Sequence, residues 1–335
     1  MNLKEIHSLV IGSKQVNYCS IVKKGKRSIL NSLAYYDFNF DNFEELDEII
    51  ESVSEIAGKD ALFNLSIMGH NVIKHIYFYK KGAANIKANV LRDLKNDYEI
   101  QLQDYLIDYE AEELEDKKVA FVAAYPKEDF DKLYGFIKKR KNIKLFSLEI
   151  GMVSVKRLIN NFYNKNETKL CIRMDKDFTN IFALKGDIIV VSREIQYGFD
   201  GFLDDIMESG GVDRQKALNV MENIGLYKDE NFTQQEQQAN EIITASFDKM
   251  SIEIQRTIDY LSSSRKIGGV NKIITLGFIN SIKKSDVYLS KLFSVGVEKL
   301  EAAKLIEFNS SVDFSMVKDM LYFDIAVGAA MRDLL

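Results

Sequence analysis

The sequence has little cysteine, little proline and no long uncharged apolar run among its 335 residues. Its two cysteines, Cys19 and Cys171, are far apart and form no Cys-x-x-Cys pair, which excludes a disulfide scaffold and a zinc ribbon. The single proline, Pro126, excludes a proline-rich linker. No stretch approaches the ~18 apolar residues that a membrane helix needs. The first residues include an early acid and no apolar signal region, so we expect a cytoplasmic protein.

The sequence also has no excess of basic over acidic residues. Forty-five basic and 50 acidic residues give a net charge of -5, which provides no electrostatic drive onto a phosphate backbone, so no nucleic-acid partner is expected. The three histidines, His7, His70 and His75, form no metal-ligand pattern. The motifs of serine hydrolases, dinucleotide-binding folds and P-loop enzymes are all absent. The length still allows a sizeable core and two domains.

What is present is a repeated order of elements. Three strands, with a glycine turn at Gly25, precede a helix that Asp41 can cap and a further buried strand; the segments are 8–12, 15–22, 28–38, 41–57 and 61–67. The same order of three strands and a helix returns after residue 165, with strands at 170–174, 178–184 and 188–195 and a helix after Gly198. This repetition predicts an internal duplication, and a chance succession of β-hairpins is the alternative.

The segment between the two copies has a different rhythm. Its predicted order is a strand at 72–79, a helix at 86–100, strands at 103–109 and 119–124, a helix at 127–139 and a strand at 143–148. This order predicts a small inserted subdomain, with 110–116 as an acidic turn that faces solvent. An apolar stripe along 239–261 predicts a long core helix, followed by a strand at 272–276 and a terminal helix at 320–335.

Three strand-to-turn corners are candidates for binding a phosphate group. One is the turn at 12–15, the second is the turn at 175–178 at the matching place of the second copy, and the third follows the strand that ends at Gly277. Tight turns expose backbone N–H groups, which phosphates require. Although most β-turns bind nothing, matching turns in a duplicated chain suggest a nucleotide cleft between two lobes.

Five motifs, taken in order, resemble the PilM family of type IV pilus assembly proteins in the actin-like superfamily, and more distantly FtsA. They are SREIQYG at 192–198, QKAL at 215–218, IEIQRTIDY at 252–260, KIITLG at 272–277 and AVGAAMR at 326–332. The resemblance implies an α/β, actin-like (ribonuclease H-like) duplicated two-lobe fold. It assigns 1–70 and 149–165 to the first lobe (1A), 71–148 to an inserted α+β subdomain (1C), 166–320 to the second lobe (2A and 2B), and 321–335 to a C-terminal helix that returns to the first lobe.

The resemblance also implies a set of nucleotide-binding residues. They are Gly12, Ser13, Lys14 and Gln15 in the first phosphate loop, Asp175 and Thr179 in the second, Glu253 and Arg256 on the long helix, and Gly277 and Phe278 on the adenine side.

The sequence departs from the family at three positions of these loops. Val10 and Arg173 stand where the family has acidic residues, and Asn17 stands where it has a basic one. Because magnesium is usually held by one or two carboxylates, we expect it to bind poorly, unless Asp175 and Asp177 replace the missing acids. No catalytic residue, metal ligand or cofactor is therefore assigned, and ATP binding stays open.

By function, the resemblance implies a cytoplasmic scaffold of a type IV pilus, of a type II secretion-like system or of a DNA-uptake machine. Its partners would be the cytoplasmic N-terminal tail of a PilN-like inner-membrane protein and other platform proteins. The tail is expected in the groove between the first lobe and residues 72–148, and would hold the protein at the inner membrane. The alternatives are an active actin-like ATPase or sugar kinase, an FtsA-like division protein, and a 1C subdomain that serves only self-association.

Overall fold

The computed structural model describes residues 5–24, 27–39, 43–69, 71–227, 230–263, 267–302, 305–309, 312 and 322–332. Several sequence predictions lie outside these residues: the turn at Gly25, the helix cap Asp41, His70, and the parts of the terminal helix before 322 and after 332. The chain forms two compact units, of which unit 1 comprises Met1–Tyr163 with Ala302–Leu335 and unit 2 comprises Asn164–Glu301.

The described strands are β1 Glu5–Ile11, β2 Gln15–Lys24, β3 Arg27–Asp37, β4 Ala61–Ile67, β5 Ile73–Lys80, β6 Tyr105–Leu114, β7 Lys117–Pro126, β8 Ile143–Ile150, β9 Thr168–Met174, β10 Thr179–Lys185, β11 Ile188–Ile195, β12 Lys272–Gly277, β13 Gly296–Lys299 and β14 Glu307–Phe308. The described α-helices are α1 Phe43–Ala57, α2 Ile86–Tyr98, α3 Lys127–Lys139, α4 Gly151–Phe162, α5 Phe199–Gly210, α6 Arg214–Asn223, α7 Gln234–Ser263, α8 Ser285–Phe293 and α9 Asp324–Ala330. The bounds predicted for β4, α3 and β11 are confirmed. Within the described helices, none combines the length and the apolarity needed to cross a bilayer.

Unit 1 is built on a six-stranded sheet in the order β14-β3-β2-β1-β4-β8. The β1–β2–β3 meander is antiparallel, whereas β4 runs parallel to both β1 and β8. Six of the seven β1 residues are buried, as a strand covered on both faces requires. Residues 302–320, which the sequence analysis gives to the second lobe, group with unit 1 as far as they are described, because β14 pairs with β3.

A second, three-stranded antiparallel sheet in unit 1 has the order β5-β7-β6 and packs one face on α2. Its predicted fourth strand, β8, belongs instead to the large sheet, where it pairs with β4. The predicted acidic turn over 110–116 is wrong in its extent, because β6 continues to Leu114 and pairs with β7 along its whole length, and only Glu115 and Asp116 form the turn. The acidic side chains of the segment are exposed, as predicted. The acids are tolerated there because they alternate with Tyr109 and Ala111, whose side chains pack against the α2 core.

Unit 2 contains a five-stranded sheet in the order β11-β10-β9-β12-β13. Strands β9, β10 and β11 form an antiparallel meander, and β12 and β13 continue the sheet in parallel from β9. In unit 1, β4 and β8 continue the sheet in the same way from β1 of the β1–β2–β3 meander. This correspondence agrees with the predicted duplication. The long helix α7 buries five of the seven residues in the stripe that the helical periodicity predicted, whereas Ala239 and Ile258 are half-buried. The buried ones are Ile243, Phe247, Met250, Ile254 and Leu261.

Candidate functional site

The two candidate phosphate turns have the same hydrogen bond at the same place in the two sheets. In unit 1, the N–H of Gly12 donates to the carbonyl of Gln15 over 2.8 Å. In unit 2, the N–H of Asp175 donates to the carbonyl of Phe178, also over 2.8 Å. Asp175 therefore occupies in the second copy the position that Gly12 occupies in the first.

The turn of unit 1 has an apolar and amide environment rather than an acidic one. Gly12 and Gln15 are buried, whereas Ser13 is half-buried and Lys14 is exposed. Val10 is buried directly opposite Asn17 in the hairpin. The Asn17 amide donates to the carbonyl of Tyr322 over 2.7 Å. No carboxylate stands at either of these two positions, where the resemblance called for charged side chains.

The turn of unit 2 holds a buried ion pair. The Asp175 carboxylate pairs with the Arg173 guanidinium, and the two side chains are only 5% and 3% exposed. The first N–H groups of α5 are also in use, since Phe199 and Asp200 donate to the carbonyls of Asp175 and Lys176, both over 2.8 Å. Helix N-termini bind phosphates through such N–H groups, and here two of them are satisfied within the chain.

Gly277 and Phe278 lie beside this turn, at the adjacent carboxyl ends of β9 and β12. Gly277 has φ +68°, and a Cβ there would lie 2.4 Å from the carbonyl oxygen of Met174, so only glycine fits. The buried Phe278 ring stacks on Phe199 with 4.7 Å between centroids. The hydroxyl of Thr179 donates to the carbonyl of Tyr197 over 2.7 Å instead of facing a ligand.

Glu253 and Arg256 have different partners. Both are on α7, where they pair with each other, and a Glu253 carboxylate oxygen lies 3.9 Å from Arg193 on β11. The structure thus brings Asp175, Thr179, Gly277 and Phe278 together at one sheet edge of unit 2. The remaining members of the predicted set, 12–15, belong to unit 1.

The donor atoms at these turns do not suit a directly held magnesium ion. Magnesium needs carboxylate oxygens in near-octahedral geometry, whereas Val10 offers none and the Asp175 carboxylate is already neutralised by a guanidinium. Among the residues that the structure describes, no three histidine, cysteine, aspartate or glutamate side chains are grouped to hold a metal ion.

A groove of about 370 Å³ lies within unit 1, between β6 of the small sheet and the β8–α4 segment. Five successive residues of β6, 106–110, line this groove. Leu106, Asp108 and Glu110 are paired with the β7 residues that line the groove, so one face of β6 lines it, and the lining by 107 and 109 as well shows that the groove reaches the edge of β6. In the described sheet β6 is a terminal strand, so no described strand pairs with its outer edge.

The floor of the groove is mostly apolar. Phe121, Ala123 and Tyr125 alternate along one face of β7, and further lining comes from Ile67, Leu148, Ile150 and Val153. Phe121 and Tyr125 are buried, whereas Ala123 between them is half-buried and has the smallest side chain of the three. Ligand sites commonly combine such an apolar lining with a few convergent polar groups.

The polar groups of this groove surround Glu149. Its carboxylate accepts two bonds from Arg157, of 2.9 and 2.7 Å, one of 2.5 Å from the Ser154 hydroxyl, and one of 3.0 Å from Arg332. Two guanidinium groups therefore share one buried carboxylate. On the opposite wall, Glu110 of β6 pairs with Lys156 of α4.

No pattern in the sequence indicated this cluster. Arg332 is the last residue of the AVGAAMR motif, but its partner Glu149 is 183 positions away in the chain. Charged residues at a regular spacing would have indicated such a cluster. These residues follow no such spacing.

Comparisons with known proteins address the fold. No known protein family matches the chain, and no curated protein matches it. In structure it is similar to a chain of the PilM-PilN type IV pilus biogenesis complex, with a TM-score of 0.76, 14% sequence identity and 98% of each chain covered. It is also similar to MreB5 of Spiroplasma citri bound to ADP, with a TM-score of 0.53, 14% identity, and 99% of this chain and 96% of that one covered.

A third similar structure is the ethanolamine utilization protein EutJ from Carboxydothermus hydrogenoformans, with a TM-score of 0.51, 9% identity, and 99% and 90% of the two chains covered. Identities this low concern the fold alone, because unrelated functions share such folds. The chain therefore has the actin-like fold, and it shares this fold with PilM along nearly the whole length of both chains.

Proposed function

We propose that this chain is a scaffold protein of a type IV pilus or of a related secretion or DNA-uptake machine. In this proposal it binds the cytoplasmic N-terminal tail of a PilN-like inner-membrane protein in the groove between β6 and β8–α4. The observation that carries the proposal is this groove, located at a strand edge in a chain whose fold matches PilM of a PilM-PilN complex over 98% of its length.

The geometry of the groove suits an extended peptide. The outer edge of β6 offers backbone N–H and C=O groups to which a peptide strand can bond, as in recognition by β-strand addition. Alternate side chains of that peptide would then point to the apolar floor of Phe121, Ala123 and Tyr125. A volume of about 370 Å³ accommodates a few anchoring side chains, which commonly provide most of the affinity of an interface.

The proposed location follows from this partner. A cytoplasmic protein that captures the tail of an inner-membrane protein is held at the membrane surface without a span of its own. Other platform proteins would then contact its remaining surface.

The proposal includes a nucleotide site that no longer supports hydrolysis. An actin-like ATPase needs a carboxylate to direct magnesium to the phosphates, and the candidates here are the apolar Val10, Arg173, and Asp175 in its ion pair. Hydrolysis would then not drive a switch, and peptide binding would be the retained activity.

Calorimetry with a defined peptide tests the proposed function. The probe is the segment before the membrane span of a PilN-like protein encoded by the same genome, titrated into the full chain. We expect binding that Ala123→Glu weakens at least tenfold, about 1.4 kcal/mol, because the new carboxylate enters the apolar groove.

The matched control is Ala84→Glu, which places the same side chain at an exposed position before α2. It should leave the affinity unchanged. Absence of binding to the unaltered chain would refute the proposal. Equal binding by a folded Ala123→Glu variant, verified by circular dichroism, would move the site elsewhere.

A further inference from the structure

The hydrogen bonds around Glu149 leave one of its two arginines exposed and with most of its donors unused. Glu149 accepts four bonds, from Ser154, Arg157 and Arg332, so its carboxylate is saturated. Arg157 is largely buried and uses a third bond, of 2.8 Å, on the carbonyl of Gly328. The Glu149 carboxylate is therefore fully engaged, and Arg157 uses three of its five donors within the protein while its side chain is only 14% exposed.

Arg332 is different. It gives one bond, of 3.0 Å, to Glu149, and its side chain is 39% exposed and lines the groove. A guanidinium carries five N–H donors in a planar fork, so several donors of Arg332 can point to a ligand. Since the bidentate pairing with Arg157 compensates the charge of Glu149, the charge of Arg332 remains for an occupant of the groove.

The other charged side chains in the groove do not compensate Arg332. Glu110 is neutralised by Lys156 at the far wall. Asp108 is exposed and one of its oxygens accepts the N–H of Tyr109 over 2.9 Å, while the described ion pair of Arg332 is with Glu149 and not with Asp108. The positive group that lines the groove and keeps most of its donors for a ligand is therefore Arg332.

We propose that Arg332 is a specificity-determining residue, which selects a partner segment that carries an aspartate or glutamate side chain next to its apolar anchors. This inference rests on the proposed function, because it takes the groove as a peptide site. The carboxylate of the segment forms a forked, charge-assisted pair with Arg332, while Glu149 fixes the orientation of the guanidinium. A segment with lysine or arginine at that place is rejected, because its cation would face the guanidinium of Arg332.

Selection from a random peptide library tests this inference and requires no partner sequence. A display library of 12-residue peptides is selected on the immobilised full chain, and only peptides that Ala123→Gln no longer binds are kept as groove-dependent, because this variant fills the groove without adding a charge. We expect them to share an acidic residue beside apolar residues. A synthetic copy in which that acid becomes an amide should bind about 10- to 100-fold more weakly, as the loss of a charged hydrogen bond predicts.

A double-mutant cycle assigns the effect to Arg332. Arg332→Gln should weaken the binding of the acidic peptide by a similar factor. In that variant, replacing the acid of the peptide by an amide should cause little further loss of affinity. Lys144→Gln is the matched control, because it removes the same charge from an exposed position on β8 that does not line the groove. It should change neither affinity. If Arg332→Gln does not fold, Arg332→Lys keeps the charge but loses the fork, and should reduce the preference for the acidic peptide.

Two results overturn the inference while the proposed function stands. In the first, groove-dependent peptides show no enrichment of acids. In the second, the acid-to-amide penalty is the same in Arg332→Gln as in the unaltered chain. If neither a library peptide nor the membrane-protein tail binds in the groove, the proposed function fails and the inference fails with it.

Discussion

The contact between α9 and α4 leaves no room for a side chain at Gly328. A Cβ there would lie 2.2 Å from the carbonyl oxygen and 2.8 Å from the carbonyl carbon of Ser154, and 3.4 Å from the Cβ of Leu158. Favourable contacts require about 3.5 Å, so in Gly328→Ala the two helices must separate by about 1 Å. Since the obstacle is backbone, rotation of a side chain cannot relieve it.

Such a shift also strains the hydrogen bonds that hold α9. The Ser8 hydroxyl donates to the Ala326 carbonyl over 2.7 Å, the Asn64 amide donates to Ala329 over 3.0 Å, and Arg157 donates to Gly328 itself. All seven residues of α9 are buried, so water does not replace these bonds.

The competing terms can be compared in size. Overpacking costs about 1–3 kcal/mol, and each weakened hydrogen bond costs up to about 1 kcal/mol. The higher helix propensity of alanine over glycine stabilises the helix by only about 1 kcal/mol. We expect Gly328→Ala to lose roughly 2 kcal/mol in the free energy of unfolding, and to lower the melting temperature of unit 1 by about 4–8 °C.

Urea denaturation followed by circular dichroism and scanning calorimetry measure this loss, and hydrogen exchange over 324–332 shows whether α9 loosens. The control is Gly135→Ala in α3, a helical glycine with no atom within 4 Å of an added Cβ. That variant should gain about 0.5–1 kcal/mol. If Gly328→Ala is as stable as Gly135→Ala, the described α9–α4 contact is wrong.

We expect no magnesium-dependent ATP hydrolysis, because the Asp175 carboxylate is held in a buried ion pair; turnover that Asp175→Ala abolishes would contradict this. Burial lowers the pKa of His7 below its usual 6.5, so the unfolded state takes up the proton first. The free energy of unfolding should therefore fall as pH drops through about 6.5, and less so in His7→Gln. Burial raises the pKa of Cys19 to about 12, and also raises that of Cys171, so Ellman's reagent should detect these thiols only after unfolding.

Sequence patterns predicted most of the helices and strands, because the residues that start and end these elements lie within a few positions of them. The helix Lys127–Lys139 begins directly after Pro126 and ends in basic residues, both of which act within one turn. The matching turns at Gly12 and Asp175 were likewise visible, since each follows an apolar strand. Strand β6 was cut short because acids at 110–113 resemble a turn, and only its pairing with β7 shows that an edge strand tolerates them.

The candidate site was less predictable because its contacts are not local. The groove joins residues of β6, β8 and α4 to Arg332, and no periodicity indicates that Glu149 lies beside a residue 183 positions later. The pairing of Arg173 with Asp175 is the exception. Arg173 is on β9 and Asp175 follows its last residue, so the two lie two positions apart in the chain and their ion pair was open to inference from local spacing.

The discontinuity of unit 1 sets the order in which the nascent chain can complete its two units. Strands β1 and β4 and helix α4 leave the ribosome early, yet the carbonyl groups that Ser8, Asn64 and Arg157 bind are on α9, which is synthesised far later. Unit 2 is one continuous stretch and is complete once residue 301 has emerged. Until α9 has also emerged, the surface that it covers on unit 1 stays exposed and is available to a chaperone. Unit 1 therefore begins first and is completed last.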